Sequence, residues 1–396
     1  MSALKTYKVL ELAESVSGEY AGKLLADFGA DLIKIERPGT GSPTRSLGPL
    51  LARDGAAPLE CSGLFAYLNT NKYSVVLDLS TAQGQDRLAQ LLRQVDVLID
   101  DHAPGYLAGI GLDPQRLRES HPQLVVCSIT PYGQNPPDER RHAEDLTVFH
   151  SSGWGFHTPS GASAQRRPLK GAGRFLPSYE AGLEAALCIA AALYEREDSR
   201  RGRFIDIAKQ DVLASRVDYV LGQMVAGDMD VGTSRNAFDL FGPAGIFACR
   251  DGYAYIWMSA PAHWDALRKL LGNPDWMNEF PERWLERECT PPRVAQCRAQ
   301  IAAWLKTRDK DVVAAEAQAL GLILVPVNDA ADLLRSPQYQ FRGFFREVEH
   351  PVLGKALYPT VPYRLSETPA GIRRAAPLLG QHTEERLLSK GSTSHG

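Results

Sequence analysis

From Val9 to Pro49 the chain reads VLELAESVSGEYAGKLLADFGADLIKIERPGTGSPTRSLGP: a strand, a helix, a second strand, then a Gly/Pro/Ser-rich loop carrying Arg37 and Arg45. Tyr7–Leu12 is a short apolar run of strand length, and Tyr20, Leu24, Leu25 and Phe28 recur at helical spacing, with Gly29 placed where a helix stops. Asp31–Glu36 returns as a strand through Leu32, Ile33 and Ile35. Parallel strands need a crossover, so a βαβ unit this tight commits the chain to an open parallel sheet, where ligands dock beyond the carboxyl ends of the strands. The Arg37–Arg45 loop lies at such an end, and its guanidinium groups suit a phosphate or an adenine face.

The alternation continues through residues 1–200. Ser74–Leu79, Val95–Ile99 and Leu124–Ile129 read as strands, and Thr81–Gln94 carries Leu88, Leu91 and Leu92 at helical spacing. Ala181–Arg196 is an alanine-rich apolar helix, and Phe204–Ala208 reads as another strand. Near Gly227–Gly232 the character turns polar. Beyond it, Ala244–Phe247 and Tyr253–Met258 flank Arg250–Asp251–Gly252 as a hairpin. Helical segments at 263–271, 293–306 and 310–320 complete a smaller α+β domain ending near Pro326. The proline-bearing tail reads as an ordered connector that ends in a short helix after Gly380.

Composition excludes several classes. A net charge of −3 offers no electrostatic footprint for nucleic acid or an anionic membrane surface. No apolar run approaches the length of a membrane span, and the N-terminus enters a strand without the pattern of a signal peptide. The six cysteines show no CxxC spacing, which fits reduced thiols in a cytoplasmic enzyme and argues against a metal site. The turn after the first strand is ESVSGEY, without GxGxxG, so dinucleotide binding through that fingerprint is not expected.

ADFGADLIKIERPGTGSPTR resembles the opening of the class III (CaiB/BaiF-type) coenzyme A transferases, a family that includes formyl-CoA transferase and α-methylacyl-CoA racemase. Further blocks match in the family's order: LNTNKYSVVLDL (68–79), DVLIDDHAPGYLAGIGL (96–112), QLVVCSITPYGQ (123–134), ALYEREDSRRGRFIDI (192–207), GPAGIFACRDGYAYI (242–256), RGFFREVEHPVLG (342–354) and APLLGQHTEERL (376–387). The resemblance implies an α/β fold in which a large Rossmann-like domain, from the N-terminal half plus the C-terminal tail, holds an inserted small α+β domain on long linkers. Mapped on this chain, that gives a large CoA-binding domain at 1–200, a linker at 201–230, the small domain at 231–326 and a return at 327–396. It also implies an interlocked homodimer, and coenzyme A or acyl-CoA met as substrate, with no permanently bound cofactor and no metal.

Carried over residue by residue, the resemblance places Arg37 by the adenine of coenzyme A, Lys72 beside its phosphates, and Tyr132 near the pantetheine arm. Ser15 and Val16 would pass close to that arm, just before a helix N-terminus. Asp101 is also placed at the coenzyme A site, where formyl-CoA transferase has asparagine, and Gly109 stands where that enzyme has arginine. A surface arginine and two turn residues on the sheet rim are the competing readings of Arg37, Lys72 and Tyr132. The family's catalytic aspartate lies four residues before the GL opening the alanine-rich helix; here that position is Ser178, and Glu180 is the nearest acid. A carboxylate is needed because it attacks the thioester as an anion. Glu180 is therefore expected as a relocated nucleophile, on the loop before a helix at Gly182. AEDLTVFHSSG aligns with the racemase segment bearing its histidine, so Glu144 and Asp145 are candidate general bases, with His142 and His150 nearby. Asp145 as a helix cap is the structural alternative. The function expected is CoA transfer between carboxylic acids; an acyl-CoA lyase, dehydratase or isomerase, and an inactive CoA-binding homologue, are the alternatives.

Overall fold

The structure, a computed structural model, describes residues 2–51, 55, 57–137, 142–157, 173–217, 225, 242–258 and 260–388. The polar stretch at 227–232 and residues 218–224 and 226–230 of the expected linker lie outside them. The chain divides into two units, 1–155 with 169–227 and 343–396, and 156–168 with 228–342.

The first unit is built on six parallel strands: β1 (Lys8–Glu11), β2 (Asp31–Glu36), β3 (Tyr73–Val76), β4 (Val97–Asp100), β5 (Val125–Thr130) and β6 (Phe204–Ala208), in the order 3-2-1-4-5-6. Neighbouring side chains go to opposite faces, and both faces are covered. Val9, Leu32, Val97 and Val125 join one core; Leu10, Ile33, Leu98 and Val126 join the other. Helices flank the sheet: α1 (Val16–Asp27), α2 (Gly63–Leu68), α3 (Ala82–Leu92), α4 (Tyr106–Gly109), α5 (Pro114–Ser120), α6 (Asp145–Ser151), α7 (Trp154–His157), α8 (Leu176–Ser199) and α9 (Lys209–Ala214). Residues 204–214 are thus strand and helix of the sheet unit, where the linker was expected to have begun.

Two departures in α8 matter for the site. It starts at Leu176, five residues before the expected Ala181, because Pro177 sits in the first turn, where its missing N–H is harmless. At 24 residues it is also long and apolar enough to cross a membrane by length and composition, against the sequence reading; half of that window is buried. Its buried stripe of Ala181, Ala185 and Ile189 lies in the core shared with α1. Gly182 permits the close approach, since a methyl there would stand 2.5 Å from the Ser17 carbonyl oxygen.

The tail belongs to the same unit and is more regular than expected. β10 (Phe345–His350) and β11 (Gly354–Pro359) form an antiparallel hairpin, and Thr383–Leu388 is the short closing helix. Asn71 Nδ2 donates to Gly371 O at 3.0 Å, and His382 N to Ser74 O at 3.0 Å, fixing the tail to β3 and its approach.

In the second unit β7 (Gly245–Cys249), β8 (Gly252–Trp257) and β9 (Ile323–Val327) form an antiparallel sheet with helices at Pro261–Leu271, Pro291–Leu305 and Lys310–Ala319. Two further short helices carry this unit to Arg342, beyond the expected end near Pro326. Trp264 packs against Trp284 and Phe280, ring centroids 5.2 Å apart in each case, so it is part of an aromatic core.

Candidate active site

The 3-2-1-4-5-6 order puts the reversal of strand order between β1 and β4, the place where open α/β sheets bind ligands. A cavity of about 810 Å³ opens there, lined from the loops after β1, β2, β4 and β5 and from the starts of α6, α8 and α9.

The crevice itself is filled by a side chain. Asp101, following β4, turns its carboxylate onto the α1 N-terminus, where it accepts from Glu14 N (2.8 Å), Ser15 N (3.1 Å), Gly18 N (2.9 Å) and Ser15 Oγ (2.5 Å). An internal anion thus occupies the helix end that would otherwise attract a phosphate. Asp101, expected at the coenzyme A site, borders the cavity with its carboxylate turned onto the α1 N-terminus, and the Ser15 N–H is engaged with it. Ser15 and Val16 still border the cavity. Next to Asp101, His102 stacks on Tyr106, with centroids 3.7 Å apart. Its Nδ1 lies 2.7 Å from Asp100, and its Nε2 3.3 Å from Glu14. Burial opposes its charge, but the carboxylates of Asp100 and Glu14 outweigh it and raise its pKa to about 9.

The expected phosphate cations separate into two kinds. Arg37 is exposed and pairs with Glu14 at the mouth of a neighbouring cavity of about 310 Å³. Lys72 is fully buried, and donates to Glu11 Oε2 (2.8 Å), Glu19 O (2.7 Å) and Asn69 Oδ1 (2.9 Å). It is not at a phosphate-binding surface. Its neighbour Lys34 bridges Glu11 (3.0 Å) and Glu19 (2.9 Å) in the same buried network. Arg45 is buried too, held at both ends by Glu36 (2.7 Å) and Glu60 (2.7 Å). Tyr132 lines a separate cavity of about 530 Å³ with Glu184 and Asp206.

The cavity wall beyond β5 and β6 brings together three groups from three elements. Ser178, third residue of α8, donates from Oγ to Asp145 Oδ1 at 2.9 Å and from its backbone N to Asp145 Oδ2 at 3.2 Å. Lys209, first residue of α9, donates from Nζ to Ser178 Oγ at 2.9 Å and reaches Asp145 Oδ1 at 3.3 Å. Ser178 and Lys209 are buried except where they border the cavity. A carboxylate from α6, Asp145, thus stands beside Ser178. Asp145 is the first residue of that helix, and its side chain bonds to Ser178 and Lys209 in place of capping its own helix. Glu144 and His142 are exposed at the same rim, as is Arg174.

Glu180 is elsewhere. Two residues along a helix rotate a side chain by about 200°, and Glu180 points away from the cavity to pair with Arg216 at 2.8 Å. It is not placed to attack a thioester in this cavity. Glu180→Gln should therefore leave turnover unchanged and shift stability by about 1 kcal/mol, the upper end for surface ion pairs, since this pair is half-buried; assay and thermal melting check both. His150 sits on α6, edge-on to Phe149 at 5.2 Å and outside the cavity lining. Lys209 and His102 escaped sequence reasoning: each is a lone cation just past a strand, carrying no spacing signal. Among the described residues no cluster of metal-binding side chains occurs.

The model of CoA-transferase family III matches residues 4–383. The chain is 30% identical to formyl-CoA:oxalate CoA-transferase of Afipia carboxidovorans, over 97% of this chain and 93% of that one. It is 28% identical to succinyl-CoA:glutarate CoA-transferase of Mus musculus, over 98% and 86%. A crystal structure of a CaiB/BaiF family protein from Brucella suis superposes with a TM-score of 0.81 at 27% identity, covering 98% of this chain and 99% of that one.

Proposed function

The chain belongs to CoA-transferase family III, and we propose that it moves coenzyme A between carboxylic acids with Asp145 as the acyl-carrying carboxylate. The observation carrying this is the Asp145 oxygen 2.9 Å from Ser178 Oγ, beside the position that in the family bears the nucleophile. An Asp145 oxygen attacks the thioester carbonyl, the C–S bond breaks, and a mixed anhydride forms with release of the CoA thiolate. The thiolate then attacks the Asp145 acyl carbon, freeing the donor acid and leaving an enzyme thioester. The acceptor acid collects CoA by the same two steps in reverse. The Lys209 ammonium, within reach of both Asp145 and Ser178, balances the negative charge that builds on the carbonyl oxygen.

Relatives are named for formate, oxalate, succinate and glutarate, and a short carboxylic acid is the acceptor class we infer here. Arg174 and Lys209 on the cavity wall support it, as cations suited to a carboxylate. Trapping tests the reading. Hydroxylamine added with acyl-CoA should convert Asp145 to its hydroxamate, and a trapped residue elsewhere would refute the assignment.

For coenzyme A, Arg37 is the phosphate- or adenine-side contact we retain, since it is exposed in the loop after β2. A charge-assisted contact contributes roughly 1.5–3 kcal/mol, so Arg37→Ala should weaken CoA binding about tenfold or more by calorimetry. A homodimer is the assembly we infer, supported by Leu183, Leu187 and Tyr194 left exposed on α8. With interlocked chains it should sediment as a dimer at all concentrations at which it stays folded; dissociation on dilution would contradict the interlock. Six free cysteines support a reducing, cytoplasmic setting.

A further inference from the structure

We infer that Ser178 is a second acyl acceptor in the same cavity, which gives the protein an acyl-CoA hydrolase activity in addition to transfer. The inference rests on acyl-CoA entering this cavity, but not on Asp145 carrying the acyl group. A nucleophilic serine is recognised by a base on its hydroxyl hydrogen and a further group that orients the pair. Ser178 has both. Its Oγ donates to Asp145 Oδ1 at 2.9 Å and accepts from Lys209 Nζ at 2.9 Å, and Lys209 lies 3.3 Å from the same Asp145 oxygen. With the two nucleophilic oxygens 2.9 Å apart, a thioester carbonyl within reach of one is within reach of the other. Ser178 also sits in the first turn of a 24-residue helix, whose N-terminal dipole favours a developing oxyanion.

The chemistry balances with acyl-CoA and water alone. Ser178 Oγ attacks the thioester carbonyl while its proton passes to Asp145. The C–S bond breaks, and the departing thiolate takes that proton as CoA thiol. An acyl ester remains on Ser178. Its exit differs from that of an acyl-carboxylate: attack on an ester by a carboxylic acid acceptor would regenerate an anhydride uphill, whereas water is consumed downhill. Asp145 takes a proton from the water, the hydroxide adds to the ester carbonyl, and the free acid leaves as Ser178 Oγ regains its proton.

The test uses the full-length protein with acetyl-CoA and succinyl-CoA and no carboxylic acid acceptor. Thiol release is followed, and acyl adducts are mapped after acid quench. Trypsin separates the two candidates, because residues 175–196 carry Ser178 and residues 142–166 carry Asp145. The expected result is steady thiol release by the native protein and an acyl group on peptide 175–196. Ser178→Ala, shown folded by its melting curve, should lower that release by at least about a hundredfold. Ser178→Cys should accumulate the adduct at residue 178. Absence of release, release undiminished in Ser178→Ala, or an adduct confined to peptide 142–166 would each overturn the inference. CoA transfer to a labelled carboxylic acid is measured separately. Transfer without hydrolysis overturns this inference and leaves transfer standing; hydrolysis at Ser178 without transfer does the reverse.

Discussion

Replacing Asp145 by Asn is expected to lower the CoA-transfer kcat by on the order of 10⁶, the scale of removing an enzyme nucleophile, while acyl-CoA still binds. The amide keeps the shape of the side chain and an acceptor for the Ser178 hydroxyl, but it cannot attack a thioester to form an anhydride. The contacts to Ser178 at 2.9 Å and Lys209 at 3.3 Å make the substitution a test of chemistry more than of folding. Steady-state kinetics with calorimetric CoA binding separates the two. Loss of binding together with turnover would make Asp145 a positioning group, and retained turnover would remove it from the reaction.

The second large effect is on stability. Lys72→Met should destabilise the fold by about 3–5 kcal/mol, because breaking a buried ion pair leaves an uncompensated charge inside. Glu11 loses its 2.8 Å partner and Glu19 its backbone contact, and both carboxylates lie wholly in the interior. Burial already pushes the Glu11 carboxyl up, with Lys72 and Lys34 opposing it, so removing Lys72 removes its main counterweight. Urea unfolding measures the loss. CoA affinity of the folded variant should stay as in the native protein. Weakened CoA binding with unchanged stability would return Lys72 to the phosphate site.

These two residues also show what the sequence could and could not convey. The parallel sheet was readable because strands buried on both faces are continuous apolar runs, as in VVCSIT and DVLID, separated by helices at their own period. The buried cations were not. Lysine and arginine are almost never fully buried without partners, and the partners of Lys72 and Arg45 come from β1 and β2, beyond any local spacing. Ser178 could be located by counting back from Gly182, but the direction of Glu180 depended on where α8 begins. Pro177 in the first turn carried that signal. Lys209 joins Ser178 only because β6 lies next to β5 in the sheet and delivers its following helix to the same edge. The β10–β11 hairpin went unread because its strands, FREVEH and GKALYP, are charged and lack a clean alternation.

The acyl-carrying role of Asp145 is tested most directly by an isotope. Transfer is run with unlabelled acyl-CoA and an acceptor acid labelled with oxygen-18 in its carboxylate. In the anhydride between acceptor and enzyme the bridging oxygen comes from the acceptor. When the CoA thiolate attacks the acceptor's acyl carbon, that oxygen remains on the enzyme carboxylate. Peptide 142–166 should therefore gain oxygen-18 at Asp145 within the first few turnovers, up to two atoms, while peptide 175–196, which carries Ser178 and Glu180, gains none. Transfer with no label on peptide 142–166, or with label on peptide 175–196, would contradict the account.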